Sequence, residues 1–340
     1  MKKIKTIEAA GHVLCHDITQ IIKDVRSGVL FKKGHVVQEE DIEALLLAGK
    51  DHLYVYEADE SMLHENEAAV ILYEICAGPD MEASEIHEGK IEIYAQRDGL
   101  LKIDLDRLQA INEMEDIIIA TRHQHTVVKK GEKLAGTRVI PLVIERDKME
   151  QVQKLGGSPL LEIKPLRPLK TAVITTGSEV FYGRIKDTFT DVIAGKLAAF
   201  GLEIQWHRIV PDDLEQIGKA IEEVRDEGAQ LVICTGGMSV DPDDLTPTAI
   251  RRSGAKILTY GAPVLPGAML LVGYFPDGTP IMGLPGCVMY ASATSFDLLL
   301  PRVLAGDTIT KKEIAALGHG GLCLKCPVCT FPHCAFGKGS

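Results

Sequence analysis

Apolar and polar positions alternate most regularly in the second half of the chain, from Lys170 onward. Two short apolar runs, at 171–176 and 231–235, are typical of buried strands. Between them, apolar side chains recur on one face of a predicted helix, at Leu214, Ile217, Ile221 and Val224. This strand–helix alternation predicts an α/β domain with a doubly wound, mostly parallel sheet, which we place at residues 166–306.

Further elements of the same domain follow from periodicity and from helix-end signals. Its other helices are expected at 187–200, before Gly201, at 247–252, with Thr246 as the N-cap, and at 288–304. Its other strands are expected at 203–210, 268–274 and 279–282, the last two flanking a Pro-Asp-Gly turn at 276–278.

The first half of the chain mixes short strands and helices less regularly. Strands are expected at 28–34, 52–56, 91–95, 116–121 and 139–144, helices at 39–48, 65–76 and 105–112, and turns at 129–136. Pro165 and Pro168 favour an extended linker. We therefore divide the chain into an N-terminal α/β segment (1–57), a smaller α+β region (58–165), the α/β domain (166–306) and a cysteine-rich tail (307–340).

Composition limits the class of protein. Of the 340 residues, 46% are hydrophobic and 25% are charged, as in an ordinary soluble globular protein. The formal net charge of −11 argues against nucleic acid or an anionic membrane as a partner, although a small anionic ligand needs only local donors. No apolar run approaches the roughly 20 residues of a membrane span, and the first residues lack a signal-peptide core. We expect a cytoplasmic protein.

Three predicted strands run directly into loops that contain glycine. The loops are Gly177-Ser178-Glu179, the stretch from Gly236-Gly237 to Ser239, and Pro285-Gly286. The carboxyl ends of parallel strands lie along one sheet edge and form one crevice, and backbone N–H groups at such loops bind anions such as phosphate. The chain has neither a Walker A loop nor a Rossmann glycine fingerprint, which argues against a nucleotide triphosphatase or a nicotinamide enzyme.

Acidic residues lie beside these glycines, at Asp187, Asp212, Asp213, Asp241, Asp243 and Asp244. Carboxylates in a crevice suit Mg²⁺ or the hydrogen-bond donors of a heterocycle. Helix capping or a solvated loop is an equally open role for Asp212, Asp213 and Asp241. Asp244 is the stronger candidate, because it closes a Gly-Gly loop that is expected to face the crevice.

Several motifs of this half occur together in one known family. They are Thr175-Thr-Gly-Ser-Glu179, Gly183-Arg-Ile-Lys-Asp187, Asp212-Asp213, Thr235-Gly-Gly-Met-Ser-Val-Asp-Pro-Asp-Asp244, Pro266-Gly267 and Gly283-Leu-Pro-Gly286. In combination they resemble the molybdopterin-binding domain shared by molybdopterin molybdenumtransferases (molybdenum insertases) and molybdopterin adenylyltransferases. The resemblance covers roughly residues 170–306, and parts of 1–57 resemble the insertase arrangement more weakly.

The resemblance implies that molybdopterin, a pterin dithiolene phosphate, is held at the sheet edge. The implied cofactor-binding residues are Gly177, Ser178, Glu179, Gly236, Gly237, Ser239, Pro285 and Gly286. Carboxylates would serve the pterin and Mg²⁺, with Asp187 and Asp244 as the candidate catalytic residues. The partners that we expect are the molybdenum cofactor itself, a recipient molybdoenzyme and a second copy of the chain in a homodimer.

The chain also departs from the family's motifs. Gly-Asp-Glu is replaced by Gly177-Ser178-Glu179, Asp-Ser-Asn by Asp187-Thr188-Phe189, the lysine-bearing Pro-Gly-Lys-Pro by Pro266-Gly267-Ala268-Met269, and Leu-Pro-Gly-Asn-Pro by Leu284-Pro-Gly-Cys-Val288. The insertase motif Asn-Ser-Ala-Met-Asp-Gly is not found in the N-terminal half. A pocket that keeps its glycines while cations and polar groups are lost suggests ligand binding with altered or absent chemistry.

These observations leave two main function classes open. One is an enzyme of molybdenum cofactor biosynthesis that inserts molybdenum as a molybdopterin molybdenumtransferase. The other is a non-catalytic carrier or sensor that delivers the pterin cofactor to a molybdoenzyme. The retained Asp187 and Asp244 favour the enzyme, whereas the lost lysine favours the carrier. A generic nucleotide-binding module is a third and weaker interpretation.

The tail holds four of the eight cysteines, spaced as Cys323-x2-Cys326-x2-Cys329-x4-Cys334. Such clustering indicates a metal or redox feature and not a disulfide framework. Pairs of this spacing occur in zinc sites and in iron–sulfur sites, with His333 as an alternative ligand. A reduced, flexible tail is the equally open alternative. Elsewhere, Cys287 is interpreted as a buried apolar cysteine or, less favoured, as a ligand contact in the crevice.

Overall fold

The structure is a computed structural model that describes residues 2–22, 26–56, 60–155, 159–239 and 244–339. The chain forms two compact units. The first comprises Met1–Arg97, Ile103–Arg122 and Lys129–Glu162, and the second comprises Asp98–Lys102, His123–Val128 and Ile163–Ser340. Within the described ranges, no helix is long and apolar enough to cross a membrane.

Short strands and helices make up the chain as far as residue 164. They are β1 (Lys2–Lys5), β2 (Val13–Leu14), β3 (Ile18–Ile22), β4 (Arg26–Phe31), α1 (Asp41–Leu47), β5 (His52–Tyr56), β6 (Met62–His64), α2 (Glu65–Cys76), β7 (Met81–Ala83), β8 (Lys90–Ala95), β9 (Gly99–Ile103), α3 (Leu105–Asn112), β10 (Ile117–Thr121), β11 (Val127–Val128), β12 (Lys133–Val139), β13 (Val143–Glu145), α4 (Arg146–Lys154) and β14 (Leu161–Lys164). Their sheets have the strand orders β1-β5-β2, β3-β4, β10-β12-β8-β7, β13-β6 and β11-β9-β14.

Periodicity predicted several of these elements and failed at one place. Helices α2 and α3 have the predicted limits, and β8 buries every second residue, as a half-exposed strand does. The strand predicted at 139–144 and the turns predicted at 129–136 were wrong in part, because β12 begins at Lys133 within the predicted turns and ends at Val139, and the next strand, β13, begins only at Val143. Ladder hydrogen bonds to β8 and β10 hold Lys133–Val139 extended despite its turn-forming glycine.

The second unit is built around a six-stranded sheet. Its remaining elements are β15 (Thr171–Thr176), α5 (Ser178–Phe181), α6 (Phe189–Ala198), β16 (Ile204–Val210), α7 (Leu214–Asp226), β17 (Leu231–Thr235), α8 (Thr246–Arg252), β18 (Lys256–Tyr260), β19 (Leu271–Tyr274), β20 (Pro280–Leu284), α9 (Ser295–Leu304) and α10 (Lys311–Ala316). The strand order is β16-β15-β17-β20-β19-β18. Strands β16, β15, β17 and β20 are parallel, and β19 and β18 continue the sheet antiparallel.

Helices cover both faces of this sheet. Val173 and Ile233 pack against α6 and α9 on one face, and Ile174 and Val232 pack against α7 and α8 on the other. All four strand residues are fully buried, and burying such a side chain stabilises the fold by about 1.5–3 kcal/mol. Alternation along buried strands therefore specifies a doubly wound, mostly parallel domain, and the predicted fold class is confirmed.

Two predicted helix limits in this unit were wrong. The helix predicted at 288–304 is a 3₁₀ turn at Gly286–Met289 followed by α9, which begins where Thr294 and Asp297 form a capping box. Thr246 is the first residue of α8 and not its N-cap, because its hydroxyl lies 3.0 Å from that of Thr176. Both errors come from polar contacts that apolar periodicity does not report.

A buried ionic cluster lies at the end of α9. The Arg302 and Asp307 side chains, each 4% exposed, meet at 2.7 Å, and Arg302 also donates to Glu313 at 2.7 Å. The Lys102 ammonium donates to Asp307 at 3.0 Å and lies 2.9 Å from Nε2 of His125. Burial, and then the positive charges of Arg302 and Lys102, lower the pKa of His125 to about 3. The imidazole is therefore neutral at physiological pH.

Candidate functional site

The three glycine-containing loops lie at the same edge of the sheet. Thr175 of β15 is in register with Thr235 of β17, and Thr235 is in register with Leu284 of β20. All three strands run in the same direction, so the loops that begin at Gly177, Gly236 and Pro285 leave the sheet side by side.

A crevice of about 730 Å³ opens at this edge, within the size range of small-molecule sites. Six of the residues predicted from sequence line it, namely Gly236, Gly237, Ser239, Asp244, Pro285 and Gly286. Gly177, Ser178, Glu179 and Asp187 are not among its lining residues. Asp241 and Asp243, two further acidic candidates, lie outside the described residues. The loops after β17 and β20 therefore form the crevice wall.

Glycine is required at two positions of the β17 loop. Gly236 has φ +82°, and a Cβ there would lie 2.0 Å from the carbonyl oxygen of Thr176. Gly237 has φ +54°, and its Cβ would lie 2.9 Å from Oγ1 of Thr246. Side chains are excluded because the loop packs tightly on its own protein neighbours. With glycine at both positions, this part of the loop contributes only backbone atoms to the crevice lining.

Gly286 differs from these glycines. A Cβ at Gly286 would meet nothing within 4 Å, and Gly286 is not among the positive-φ residues. Neither local packing nor backbone conformation therefore explains the glycine. Because Gly286 lines the crevice, we expect a side chain at this position to compete with a ligand for space.

Tyr260 holds the far end of the β17 loop. Its phenol hydroxyl lies 3.1 Å from the carbonyl oxygens of Met238 and Ser239, to which it donates. Burial, and then the charge of Asp244, raise the pKa of Tyr260, so the hydroxyl keeps its proton. Periodicity gave no reason to select Tyr260, because it lies on β18, a strand that the sequence did not predict.

The β15 loop is tied to a neighbouring loop. The N–H of Ser178 donates to Asp212 at 2.8 Å, and the N–H of Asp212 donates back to the Ser178 hydroxyl at 3.3 Å. Glu179 is exposed. Asp213 accepts from the N–H groups of Glu215 and Gln216, so it caps α7. Asp212 and Asp213 therefore have the structural roles that were left open for them.

Asp187 lies at the start of α6 with its carboxylate engaged by protein donors. It accepts hydrogen bonds from the N–H groups of Phe189 (2.8 Å) and Thr190 (3.3 Å) and from the hydroxyls of Thr190 (2.6 Å) and Thr175 (3.1 Å). Burial alone would raise the pKa of Asp187, but these hydrogen bonds, from Thr190 above all, hold it below its ordinary value. The carboxylate is therefore ionised and caps the helix.

His207 completes this polar group and was not selected from the sequence. Its Nε2 lies 3.0 Å from both the Thr175 and Thr190 hydroxyls and 3.3 Å from Asp187 Oδ2. The only available signal was a histidine on the edge strand β16, one position after Trp206. That signal does not indicate which neighbouring strand the ring faces.

The cysteine tail forms part of the crevice. Leu265 donates from its N–H to the Gly321 carbonyl at 2.8 Å, and Cys323 donates to the Leu265 carbonyl at 2.8 Å. This parallel bridge brings Leu322, Cys323 and Lys325 into the crevice lining, opposite residues of the β17 and β20 loops. No local pattern in the sequence predicts this contact, because Leu265 and Cys323 are far apart along the chain.

The tail cysteines share a second cavity but do not form a metal centre in this structure. All four line a cavity of about 530 Å³, where Cys326 and Cys329 are exposed and Cys323 and Cys334 pack partly against the core. Within the described ranges, no group of three or more His, Cys, Asp or Glu side chains is arranged to hold a metal ion. The four sulfurs do not fit a metal site as they stand, and zinc or an iron–sulfur cluster in the tail stays a prediction.

Cys287 lines both the crevice and the second cavity. It is half-buried, so the interpretation as a buried core cysteine was wrong. Burial still raises the pKa of the Cys287 thiol, which keeps it neutral at physiological pH. The 3₁₀ turn that follows Pro285 turns this residue toward the crevice instead of the core.

Comparison with known families identifies the domain around this crevice. Residues 172–305 match the family described as "probable molybdopterin binding domain", and residues 3–57 match a domain of unknown function, DUF8806. The resemblance noted in the loop motifs is thereby confirmed, and residues 172–305 form a domain of the molybdopterin-binding, molybdenum cofactor biosynthesis type.

Curated relatives match about a third of the chain or less. A "putative competence-damage inducible protein" of Bacillus cereus strain AH187 is 35% identical over 92 residues, which are 27% of this chain and 22% of that protein. The protein of the same name in strain G9842 is 33% identical over 107 residues, 32% of this chain and 25% of that protein. The chain therefore spans about a quarter of the length of these relatives.

Several solved structures align with about two fifths of the chain. The molybdopterin biosynthesis enzyme MoaB of Thermus thermophilus is 24% identical with a TM-score of 0.33, covering 39% of this chain and 91% of that one. The protein CinA of Thermoplasma acidophilum, of unknown function, is 20% identical with a TM-score of 0.34, covering 39% and 97%. The tungsten cofactor synthesizing protein MoaB of Pyrococcus furiosus is 23% identical with a TM-score of 0.34, covering 40% and 92%.

Proposed function

We propose that this protein binds molybdopterin in the crevice between the β17 and β20 loops and takes part in handling the molybdenum cofactor. One observation carries the proposal: the backbone of Gly236, Gly237 and Gly286 lines a crevice in a domain of the molybdopterin-binding family. Six of the residues that the family resemblance selected from sequence line that one crevice.

The crevice residues suggest how such a ligand would be held. Backbone N–H groups near Gly236, Gly237, Ser239 and Gly286 would meet the phosphate, since glycine loops after parallel strands bind anions through N–H dipoles. Tyr260 would keep the β17 loop in place through its hydrogen bonds to Met238 and Ser239. The carboxylate of Asp244 would accept hydrogen bonds from the pterin ring, which is rich in N–H donors.

Within this function, we propose that the protein carries molybdopterin and inserts molybdate poorly. Molybdate and the dithiolene phosphate are both negative, so bringing them together requires cations to offset their repulsion. Position 268, where the resemblance expects a lysine, is an alanine that lines the crevice. Asp187 is engaged by four protein donors, so a Mg²⁺ ion there would have to displace them. Asp244, unlike Asp187, lines the crevice, so it is the carboxylate that a Mg²⁺ ion bound with the ligand would meet.

The competing insertase function makes a different prediction, so two assays on the purified full chain decide between them. The first measures molybdopterin binding, and the second measures Mg²⁺-dependent molybdate insertion. We expect binding with little insertion. Robust insertion by the unaltered protein would overturn the carrier proposal, and a lack of molybdopterin binding would overturn both functions.

A matched pair of glycine variants links binding to the crevice. Gly286→Val puts a side chain into open space that faces the crevice, so binding should be lost without unfolding. Gly218→Val also enters open space, but on α7 and outside the crevice lining, and helix propensity makes that change roughly neutral. Equal molybdopterin affinity in the two variants would show that the ligand binds elsewhere.

A further inference from the structure

The positive charge in the crevice lining comes from a residue of the cysteine tail, Lys325. Among the described residues that line it, Asp244 and Lys325 are the two that carry a formal charge, and Lys325 is the cation. Cys287 does not add a charge, because burial raises the pKa of its thiol. Without Lys325, the described lining would hold no cation to attract an anionic ligand.

Lys325 reaches the crevice because the tail pairs with the loop after β18. The two hydrogen bonds between Leu265 and the tail, both 2.8 Å, fix Gly321 and Cys323 in an extended stretch. Only glycine fits at position 321, where a Cβ would lie 2.4 Å from the carbonyl oxygens of Leu317 and Pro263. Lys325 has φ +51°, so the chain turns immediately after the paired stretch.

The tail that holds Lys325 is anchored to the core of the second unit. Phe336 is 5% exposed and belongs to the apolar cluster of α9, and Phe331 packs against the same cluster. The N–H of Gly337 donates to the Gly320 carbonyl at 2.9 Å, which closes the tail into a loop. The position of Lys325 therefore depends on contacts at both ends of the loop and not on a free terminus.

We propose that Lys325 is the cation with which the crevice recognises the anionic group of its ligand, so that the cysteine tail supplies a binding residue. The identity of the ligand as molybdopterin rests on the proposed function, whereas the role of Lys325 follows from its place in the crevice lining. A lysine ammonium suits this role, because it is a compact charge on a flexible stem that can follow a phosphate.

The test uses the full chain and two probes, molybdopterin and inorganic pyrophosphate, with affinity measured by calorimetry at low and high salt. Lys325→Gln should weaken the binding of both probes by about tenfold or more, the usual effect of losing a hydrogen bond to a charged group, and should reduce the salt dependence. Lys325→Arg should retain most of the affinity, because the charge is kept. Lys312→Gln, on the exposed side of α10, is the matched control and should bind both probes as the unaltered protein does.

Each outcome separates this inference from the proposed function. Molybdopterin affinity that is unchanged in Lys325→Gln overturns the role of Lys325 and leaves molybdopterin binding intact. Pyrophosphate binding that depends on Lys325, without molybdopterin binding, supports the role of Lys325 and overturns the proposed ligand. Failure of the unaltered protein to bind either probe overturns both. Melting temperatures of the exposed-lysine variants should match that of the unaltered protein, so a folding defect would be visible at once.

Discussion

Replacing Asp187 by alanine tests whether this carboxylate serves the fold or the chemistry. The change removes the acceptor of two N–H groups in the first turn of α6, a loss that costs about 1 kcal/mol for a helix cap. It also breaks the hydrogen bonds that the hydroxyls of Thr175 and Thr190 donate to Asp187, which costs about 1–3 kcal/mol more for the two bonds together. The total expected loss is about 2–4 kcal/mol of unfolding free energy.

Thermal unfolding measures this loss. For a unit of this size, each kcal/mol lowers Tm by about 2–4 °C, so Asp187→Ala should lower Tm by roughly 5–15 °C. Asp191→Ala is the control, because it removes an exposed carboxylate from the first turn of the same helix and loses only the helix-dipole interaction, below about 1 kcal/mol.

The dependence on pH has a definite sign. The pKa of Asp187 is lowered in the folded protein, so its contribution to stability is fully present above the ordinary aspartate pKa and is lost as pH falls through the lowered one. The difference in stability between the unaltered protein and Asp187→Ala should therefore narrow below about pH 4.

Two results would refute this reasoning. Equal melting temperatures for Asp187→Ala and Asp191→Ala would mean that the four hydrogen bonds contribute nothing beyond a surface charge. An Asp187→Asn variant with unchanged Tm and abolished molybdopterin binding would assign the residue to ligand binding, because the amide preserves the shape of the side chain but not its charge.

Two further changes test the loop and the ionic cluster. Gly236→Ala places a Cβ 2.0 Å from the Thr176 carbonyl oxygen at a positive φ, so we expect urea unfolding to show a loss of roughly 2–4 kcal/mol of unfolding free energy. The control Gly218→Ala, in α7, should gain about 0.5–1 kcal/mol. Similar values for the two variants would show that the loop does not require glycine at position 236. The unaltered protein should lose up to about 1.4 kcal/mol per pH unit between pH 6.5 and 3, because unfolding lets His125 take up a proton that the folded state excludes. His125→Asn, which tolerates φ +59°, should flatten that pH profile, and an equally steep profile would exclude the buried imidazole as its cause.

The elements that the sequence predicted well are those with local signals. Helices α2 and α3 and the buried strands β15 and β17 depend on apolar spacing within a few residues, so their limits follow from the chain alone. The helix predicted at 288–304 was wrong at its start, because apolar residues on both sides of Thr294 suggested one uninterrupted helix. There the capping box of Thr294 breaks it, and a polar cap inside an apolar run carries little weight in periodicity.

In the candidate site, too, the residues with a local sequence signal were predicted and those that depend on distant contacts were missed. Gly236, Gly237 and Gly286 were predicted because strand-to-glycine transitions are visible in the sequence, and parallel strands bring such loops to one edge. Lys325 was missed because its place in the crevice depends on hydrogen bonds between the tail and Leu265, which are distant in the sequence. The role of Asp187 was also beyond sequence reasoning, since capping and metal binding use the same carboxylate.

The docking of the tail has a consequence for where this protein can be cut. The family match ends at residue 305, but a fragment that ended there would lack Phe336, and the apolar surface of α9 against which Phe336 packs would be exposed to solvent. It would also remove Asp307 and leave Arg302 buried without its carboxylate partner, which is among the costliest changes that a core can suffer. A fragment designed to fold on its own should therefore extend beyond the family match and include the tail as far as Phe336.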